Sequence, residues 1–434
     1  MKFDKWTVGL ATAGVVSLGS AAVADESPVN TLLSGTTLSG YVDTSMIYKP
    51  GVQSAAYRFA NTAPDTWNGF NFNVVDLTIQ KALDEDKWSA GYRADLWFGP
   101  QAAGLPGAFG ANGTLGDNFG VKQAYVALRA PVGNGLDFKV GQIDTIIGYE
   151  VLDSYANPTF SRSLGFNIEP FSHTGMTATY QVAEWLSVVG GVADSAFNGT
   201  NQKETYNGQN NDGTITSNGG SGNGTLTYMG AVTLKAPESW GSLAGAALYG
   251  GIVSNGRSGY TYTDGDFGMG IQENSLNYYV GVSVPTPIKE ITVGAAWDYL
   301  SDGNGDGTWA TAVAGYVSWQ ISEKLKLNTR AEWAKSDYNA WAIGPALGAT
   351  TVAPSYTGDF IYTGPTELFA VTATLDYALW ANVITRLEVV WDHDLNGSDI
   401  FSSQYAVDGE SEDYSVVNGR NNSVLLAANI IYKF

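Results

Sequence analysis

Residues 73–81, NVVDLTIQK, and 88–98, WSAGYRADLWF, flank the short turn ALDEDK. Read in twos, the first segment puts Asn73, Val75, Leu77 and Ile79 on one face and Val74, Asp76, Thr78 and Gln80 on the other. The second puts Trp88, Ala90, Tyr92, Ala94, Leu96 and Phe98 opposite Ser89, Gly91, Arg93, Asp95 and Trp97. Successive side chains of a strand point to opposite faces, so such alternation predicts a β-hairpin with one apolar face.

The pattern recurs along the chain. VKQAYVALRA and LDFKVGQ form a second pair, MTATYQV and LSVVGGVA a third, and TLTYMGAVTLK and LAGAALYGGIV a fourth. Three more pairs follow, built on SLNYYVGVSV, WATAVAGYVSWQ and ELFAVTATLDY with their successors. With LSGYVDTSMIYK at the front and NSVLLAANIIYKF at the end, the total is about sixteen strands. Their lengths approach the ~9–11 residues of a tilted membrane-spanning strand.

Connections alternate in length. Short turns follow the even strands. Long polar stretches follow the odd ones, among them residues 50–69, 195–224 and 393–420. Backbone polar groups in a bilayer must be satisfied internally, and strands do this only in a closed barrel. The sequence therefore predicts an all-β fold: a transmembrane antiparallel up-and-down β-barrel of about 16 strands, with short periplasmic turns and long external loops. A soluble sandwich or propeller needs neither an apolar outer face on nearly every strand nor this alternation of loops. Trp88, Trp297, Tyr299, Trp333 and Trp391 fall near strand ends, where interfacial aromatic girdles lie.

Composition agrees. Charged residues are only 15% of the chain, aromatics reach 12%, and glycine occurs 53 times. The net charge of −20 argues against nucleic acid as a partner, because that binding needs clustered cations. Cysteine is absent, so no disulfide framework holds the fold. The first residues place Lys2 and Lys5 before an apolar stretch ending at Leu18, then Ala22 and Ala24 in an A-x-A arrangement. This is the layout of a signal peptide, residues 1–24, leaving residues 25–434 as a single barrel domain.

Three strands carry the same phrase on their polar face: Arg93 with Asp95, Arg330 with Glu332, and Arg386 with Glu388. They form either a lumen charge band that screens solutes or a set of satisfied ion pairs that stiffens the wall. The third external connection, residues 144–172, is long yet rich in Ile146, Ile147, Leu152, Leu164, Phe166 and Ile168. Its composition predicts a segment folded inward as a constriction, although a cap or a subunit-contact loop would use the same residues. Asp144, Glu150, Asp153 and Glu169 would then face wall cations, with Arg129 and Lys139 as further candidates.

Other motifs are weaker. Asp302, Asn304 and Asp306 open like a calcium loop, but its twelfth position is Val313, where a bidentate Glu is needed. A Gly/Asp turn is the expected reading, with no metal and no cofactor. Asp392, His393 and Asp394 could serve an outer-membrane hydrolase, but no converging nucleophile is apparent, and no enzymatic role is expected.

The segments LSGYVDTS (38–45), VKQAYVALRAPVGNGLDFKVGQIDTIIGYE (121–150) and RSLGFNIEPFSHTG (162–175) resemble the OmpL-like outer-membrane β-barrel porin family. The resemblance is most specific over residues 36–193 and at the closing strand. It implies a channel of the bacterial outer membrane for small hydrophilic solutes, with outer-membrane lipid as its surroundings. Similarity to general trimeric porins adds a homotrimer as an expectation. Passive diffusion is the leading reading. Alternatives are a sugar-specific channel stacking its solute on Trp97, Tyr125 and Tyr316, or a structural barrel plugged by its loops. The alternating Ile430, Tyr432 and terminal Phe434 resemble the signal by which the barrel assembly machinery recognises its clients.

Overall fold

The computed structural model describes residues 35–50, 58, 68–84, 88–105, 119–194, 226–254, 276–301, 309–337, 366–397, 401, 404–407, 414–417 and 420–434. The expected signal peptide and Asp302, Asn304 and Asp306 lie outside the described residues. Described helices are short, and none is long and apolar enough to cross a membrane. Strands make the crossing.

In chain order the first six strands are β1 (Thr36–Tyr48), β2 (Gly69–Lys81), β3 (Ser89–Phe98), β4 (Phe119–Ala130), β5 (Leu136–Asp144) and β6 (Ser172–Ala183). The next six are β7 (Leu186–Ala193), β8 (Thr227–Lys235), β9 (Ala247–Ser254), β10 (Leu276–Pro285), β11 (Ile291–Ser301) and β12 (Trp309–Gln320). Then come β13 (Leu325–Ser336), β14 (Thr366–Trp380), β15 (Val383–Asp394), β16 (Gln404–Val407), β17 (Tyr414–Val417) and β18 (Asn422–Lys433). Among the described residues, β1–β15 and β18 close into one antiparallel barrel of sixteen strands. The pair β16–β17 is a separate two-stranded hairpin within the last external connection.

Closure is made at a seam between the two ends of the chain. Tyr41 opposes Lys433 and Tyr48 opposes Leu426, and beyond the strand Gly40 and Phe434 exchange backbone hydrogen bonds at 2.9 and 3.0 Å. This pairing removes the sheet edges that could not survive in lipid. On β18, Val424, Leu426, Ile430 and Tyr432 are exposed toward lipid, while Ser423, Leu425, Asn429 and Ile431 are buried inside. The Phe434 ring covers Gly40 on the outer face.

The same division holds around the wall. Leu128, Val280 and Val317 are exposed between buried lumen neighbours, and Val140, Met176 and Val232 are exposed in the same outward rows. Trp297 and Trp391 lie outward near the long-loop rim, and Trp88, Trp185, Trp240 and Trp380 stand at the short turns. Two aromatic belts result, as expected at two membrane interfaces.

Among the described residues four register shifts interrupt the wall, and two of them, β-bulges in β2 and β4, re-aim polar side chains into the lumen. Asp43 pairs with Val74 but Thr44 pairs with Phe72, so Asn73 is the extra residue of β2. Asn73 therefore turns inward beside Val74 instead of sharing a face with Val75, correcting the strict alternation expected there. Likewise Asp95 pairs with Gln123 but Leu96 pairs with Val121, which leaves Lys122 unpaired in β4. Lys122 and Gln123, adjacent in sequence, both enter the lumen. An extra residue bends the strand and re-aims a side chain.

Candidate functional site

The segment between β5 and β6 lies inside the barrel. Its neck closes where Thr145 N–H donates to Phe171 O at 3.0 Å, and residues 157–173 are buried throughout. Apolar side chains dock it on separate arcs of wall. Ile146, Ile147 and Tyr149 pack toward Met229, Val253 and Tyr279. Leu164 and Ile168 pack on Leu300, Ala312 and Leu368, where Phe401 of the last external connection joins them. Phe160 meets Ile47, Val390 and Leu425 across the seam. The aliphatic composition of 144–172 is explained by this enclosure: exposed, these groups would sacrifice the burial that holds the loop in place.

Polar groups fix the register of the loop. Glu388 accepts the backbone N–H groups of Phe160 and Ser161 at 2.6 and 2.9 Å. Glu332 accepts from Leu164 N–H at 2.5 Å, and Glu150 accepts from Ser163 N–H at 2.8 Å. Arg330 donates to Glu150 and Glu332 at 2.8 Å each and to the carbonyls of Ser161 and Arg162 at 2.8 and 2.9 Å. Arg386 donates to Ser154 O at 2.7 Å and Asn157 O at 3.1 Å, and pairs with Asp376 at 2.9 Å. Buried charges persist only when paired and hydrogen-bonded, and these are.

A second external connection reaches the same place. Arg58, buried between β1 and β2 in sequence, pairs with Asp392 and with Glu332, the latter at 2.8 Å. Arg162 N–H donates back to Arg58 O at 2.5 Å. Of the two meanings of the Arg/acid phrase, β13 and β15 carry the structural one: Arg330 and Arg386 are sequestered beneath the loop.

On the β3–β5 side part of the charge, at Arg93 and Asp144, stays within reach of water. Lys122 Nζ stands 2.7 Å from Asp153, 3.0 Å from Asp144 and 3.9 Å from Asp95. Arg93 Nε pairs with Asp95 at 2.8 Å and its Nη1 donates to Gln80 at 3.0 Å. The side chains of Arg93 and Asp144 keep 28% and 27% exposure, against 0% for Arg330. Lys139 Nζ sits 5.0 Å above the Tyr125 ring and, among the described residues, has no carboxylate at ion-pair distance. Burial alone would raise the Asp153 carboxyl, but Lys122 beside it and the Tyr41 hydroxyl bonded to it hold it below the usual range. Glu169 behaves oppositely. Burial, and then Asp298 on β11, push it well above the ordinary carboxylate range.

Several expected sites come apart. Arg129 pairs with Asp137 near the β4–β5 turn at 2.5 Å rather than with the loop. Trp97 and Tyr316 are 0% and 2% exposed, so they cannot form an open stacking track with Tyr125; Tyr316 is stacked on Tyr149 at 4.1 Å. Asp392 and Asp394 are buried inward, whereas His393 lies on the opposite, outer face, where it stacks on Trp391 at 5.6 Å. Adjacent strand residues cannot converge on one substrate.

Lys122, Arg58 and Arg162 were not singled out by sequence. The polar doublet Lys122–Gln123 just before a clean alternation was the readable sign of the first. Nothing local marks the other two.

The chain belongs to the beta-barrel porin-2, OmpL-like family, whose family model matches residues 35–434. It is an outer-membrane porin channel, located in the bacterial outer membrane. No individually curated protein matches it by sequence. Its fold is similar to the outer membrane channel DcaP of Acinetobacter baumannii, at 12% identity and TM-score 0.53, covering 92% of this chain and 97% of that one. The anion-selective porin from Comamonas acidovorans is similar at 10% identity and TM-score 0.53, covering 92% and 99%. The trimer form of OmpT from Vibrio cholerae gives 10% identity and TM-score 0.50, also covering 92% and 99%. At such identities the likeness is one of fold.

Proposed function

We propose that this porin passes small hydrophilic solutes by passive diffusion between the inward loop and the β3–β5 wall, with Arg93, Lys122 and Lys139 opposing Asp144 and Asp153 at the constriction. One observation carries the reading. Charge beneath the loop on β13 and β15 is sealed from water, while Arg93 and Asp144 remain more than a quarter exposed. Water-accessible charges of both signs establish a local field that orders permeating ions and dipoles. A homotrimer is part of the same proposal, supported by the likeness of fold to porins that include a trimer form.

Planar-bilayer conductance together with liposome swelling in sugars of increasing size tests it. Ohmic conductance and swelling rates that fall smoothly with solute size are expected. Absence of conductance would favour a loop-plugged structural barrel, and saturable block by one sugar would favour a specific channel. Cross-linking in native membranes should stop at three subunits, and a ladder ending at one would remove the trimer.

A further inference from the structure

The returning arm of the loop, just before β6, ends in a contact that the ion-pair lattice does not explain. Glu169, 4% exposed, has its carboxyl against that of Asp298 on β11, also 4% exposed. Facing the pair are Tyr279 from β10 and, from the loop itself, Glu150. Behind Glu150 stand Tyr316 of β12 and Arg330 and Glu332 of β13. The one cation in this group, Arg330, is committed to Glu150 and Glu332. No described base neutralises the pair.

Two buried carboxylates in contact cannot both be ionised without a compensating charge. Among the described residues no three acidic or histidine side chains converge as a metal site. Space is closed as well. A Cβ built at Gly148, where φ is +114°, would overlap Glu169 Oε2, and one built at Gly165 would overlap Asp298 Oδ2. Thus the outgoing strand of the loop, its middle and its return all press on this pair. Asn277 on β10 adds a hydrogen bond to Ile168 O at 2.7 Å, one residue from Glu169.

We propose that Glu169 and Asp298 share one proton, and that this proton latches the returning arm of the loop to β11 and releases it as pH rises. The sign follows from linkage. An acid raised on docking favours the docked state fully below its ordinary pKa, and that contribution is lost as pH climbs through the raised value. Docking therefore weakens toward alkaline pH. Acidic buffer keeps the latch shut.

The absence of cysteine from the chain provides a direct test. Ile168 is fully buried beside the latch, so Ile168→Cys reports its opening through reaction with a membrane-impermeant thiol reagent in the intact outer-membrane barrel. Labelling is compared, at each pH, with the same cysteine in a Glu169→Gln background. Glutamine keeps a donor for Asp298 but cannot ionise. The reference background also cancels the ordinary rise in thiol reactivity. Faster labelling in the Glu169 form than in the Gln form, appearing only at alkaline pH, is expected. Equal rates at every pH would overturn the latch. Asp298→Asn, which likewise leaves a single carboxyl beside an amide donor, repeats the test should Glu169→Gln fail to migrate as a folded barrel. Because labelling needs no current, a barrel that conducts nothing would refute the diffusion reading while leaving this result interpretable.

Discussion

Arg330 and Glu150 meet at 2.8 Å with both side chains fully withdrawn from water, joining the barrel wall to the middle of its own pore loop. The same guanidinium also binds Glu332 and two loop carbonyls. Removing it leaves buried Glu150 without its paired cation and Glu332 with Arg58 alone. Arg330→Met should destabilise the folded barrel by about 3–5 kcal/mol, the cost of breaking a buried pair from one side. Temperature-dependent loss of the fast-migrating unboiled form measures it. A midpoint within a degree or two of the wild type would contradict the role given to Arg330.

Lys139 offers the contrasting case. It is half-buried, faces Tyr125, and is not tied to a carboxylate among the described residues. Lys139→Glu should leave folding intact and move the reversal potential in a salt gradient toward cation preference. The change should shrink as salt rises, since screening shortens to ~3 Å at 1 M. An unmoved reversal potential at low salt would take Lys139 out of the constriction.

Asp153 sets the acid limit of the loop's attachment to β4. Its pKa is held below the ordinary range chiefly by Lys122 against the opposing effect of burial. A depressed acid contributes above its ordinary pKa and stops contributing as pH falls through the depressed one. The channel should therefore keep its conductance through mildly acidic buffer and change only in stronger acid. Lys122→Met should shift that acid transition to higher pH. An identical transition in the variant would mean that Asp153 is not its source.

Phe434 closes the seam opposite Gly40 and continues the outward row of Ile430 and Tyr432. Deleting Phe434 should lower outer-membrane levels while export to the periplasm continues, as fractionation and heat-modifiable migration would show. Normal levels of folded protein would remove the proposed recognition role.

The strands were readable because lipid imposes a strict period of two on every outer face, from Leu128 to Tyr432. Long loops alternating with short turns then supplied the topology. Where the reading slipped, a bulge intervened: Asn73 and Lys122 occupy positions at which one extra residue moves neighbouring side chains onto the same face. The inward loop was legible through apolar residues that water would not support. Its partners were not. Arg58 and Glu332 are separated by 274 positions, and no local pattern encodes so distant a meeting. The burial of Trp97 and Tyr316 escaped for a similar reason, since lumen-facing aromatics look alike in sequence whether a loop covers them or not.

Ser154 donates to Asp43 of β1, Asn429 of β18 donates to that same carboxylate at 3.2 Å, and Arg386 of β15 holds Ser154 O. Half of this binding surface does not exist until the first and last strands have met. The loop therefore completes its docking only when the cylinder around it is closed. Once seated, it clasps from within the one joint that the chain's own continuity does not secure. A porin arrested before that step would be a wide, leaky tube, and its narrowing is the act that finishes assembly.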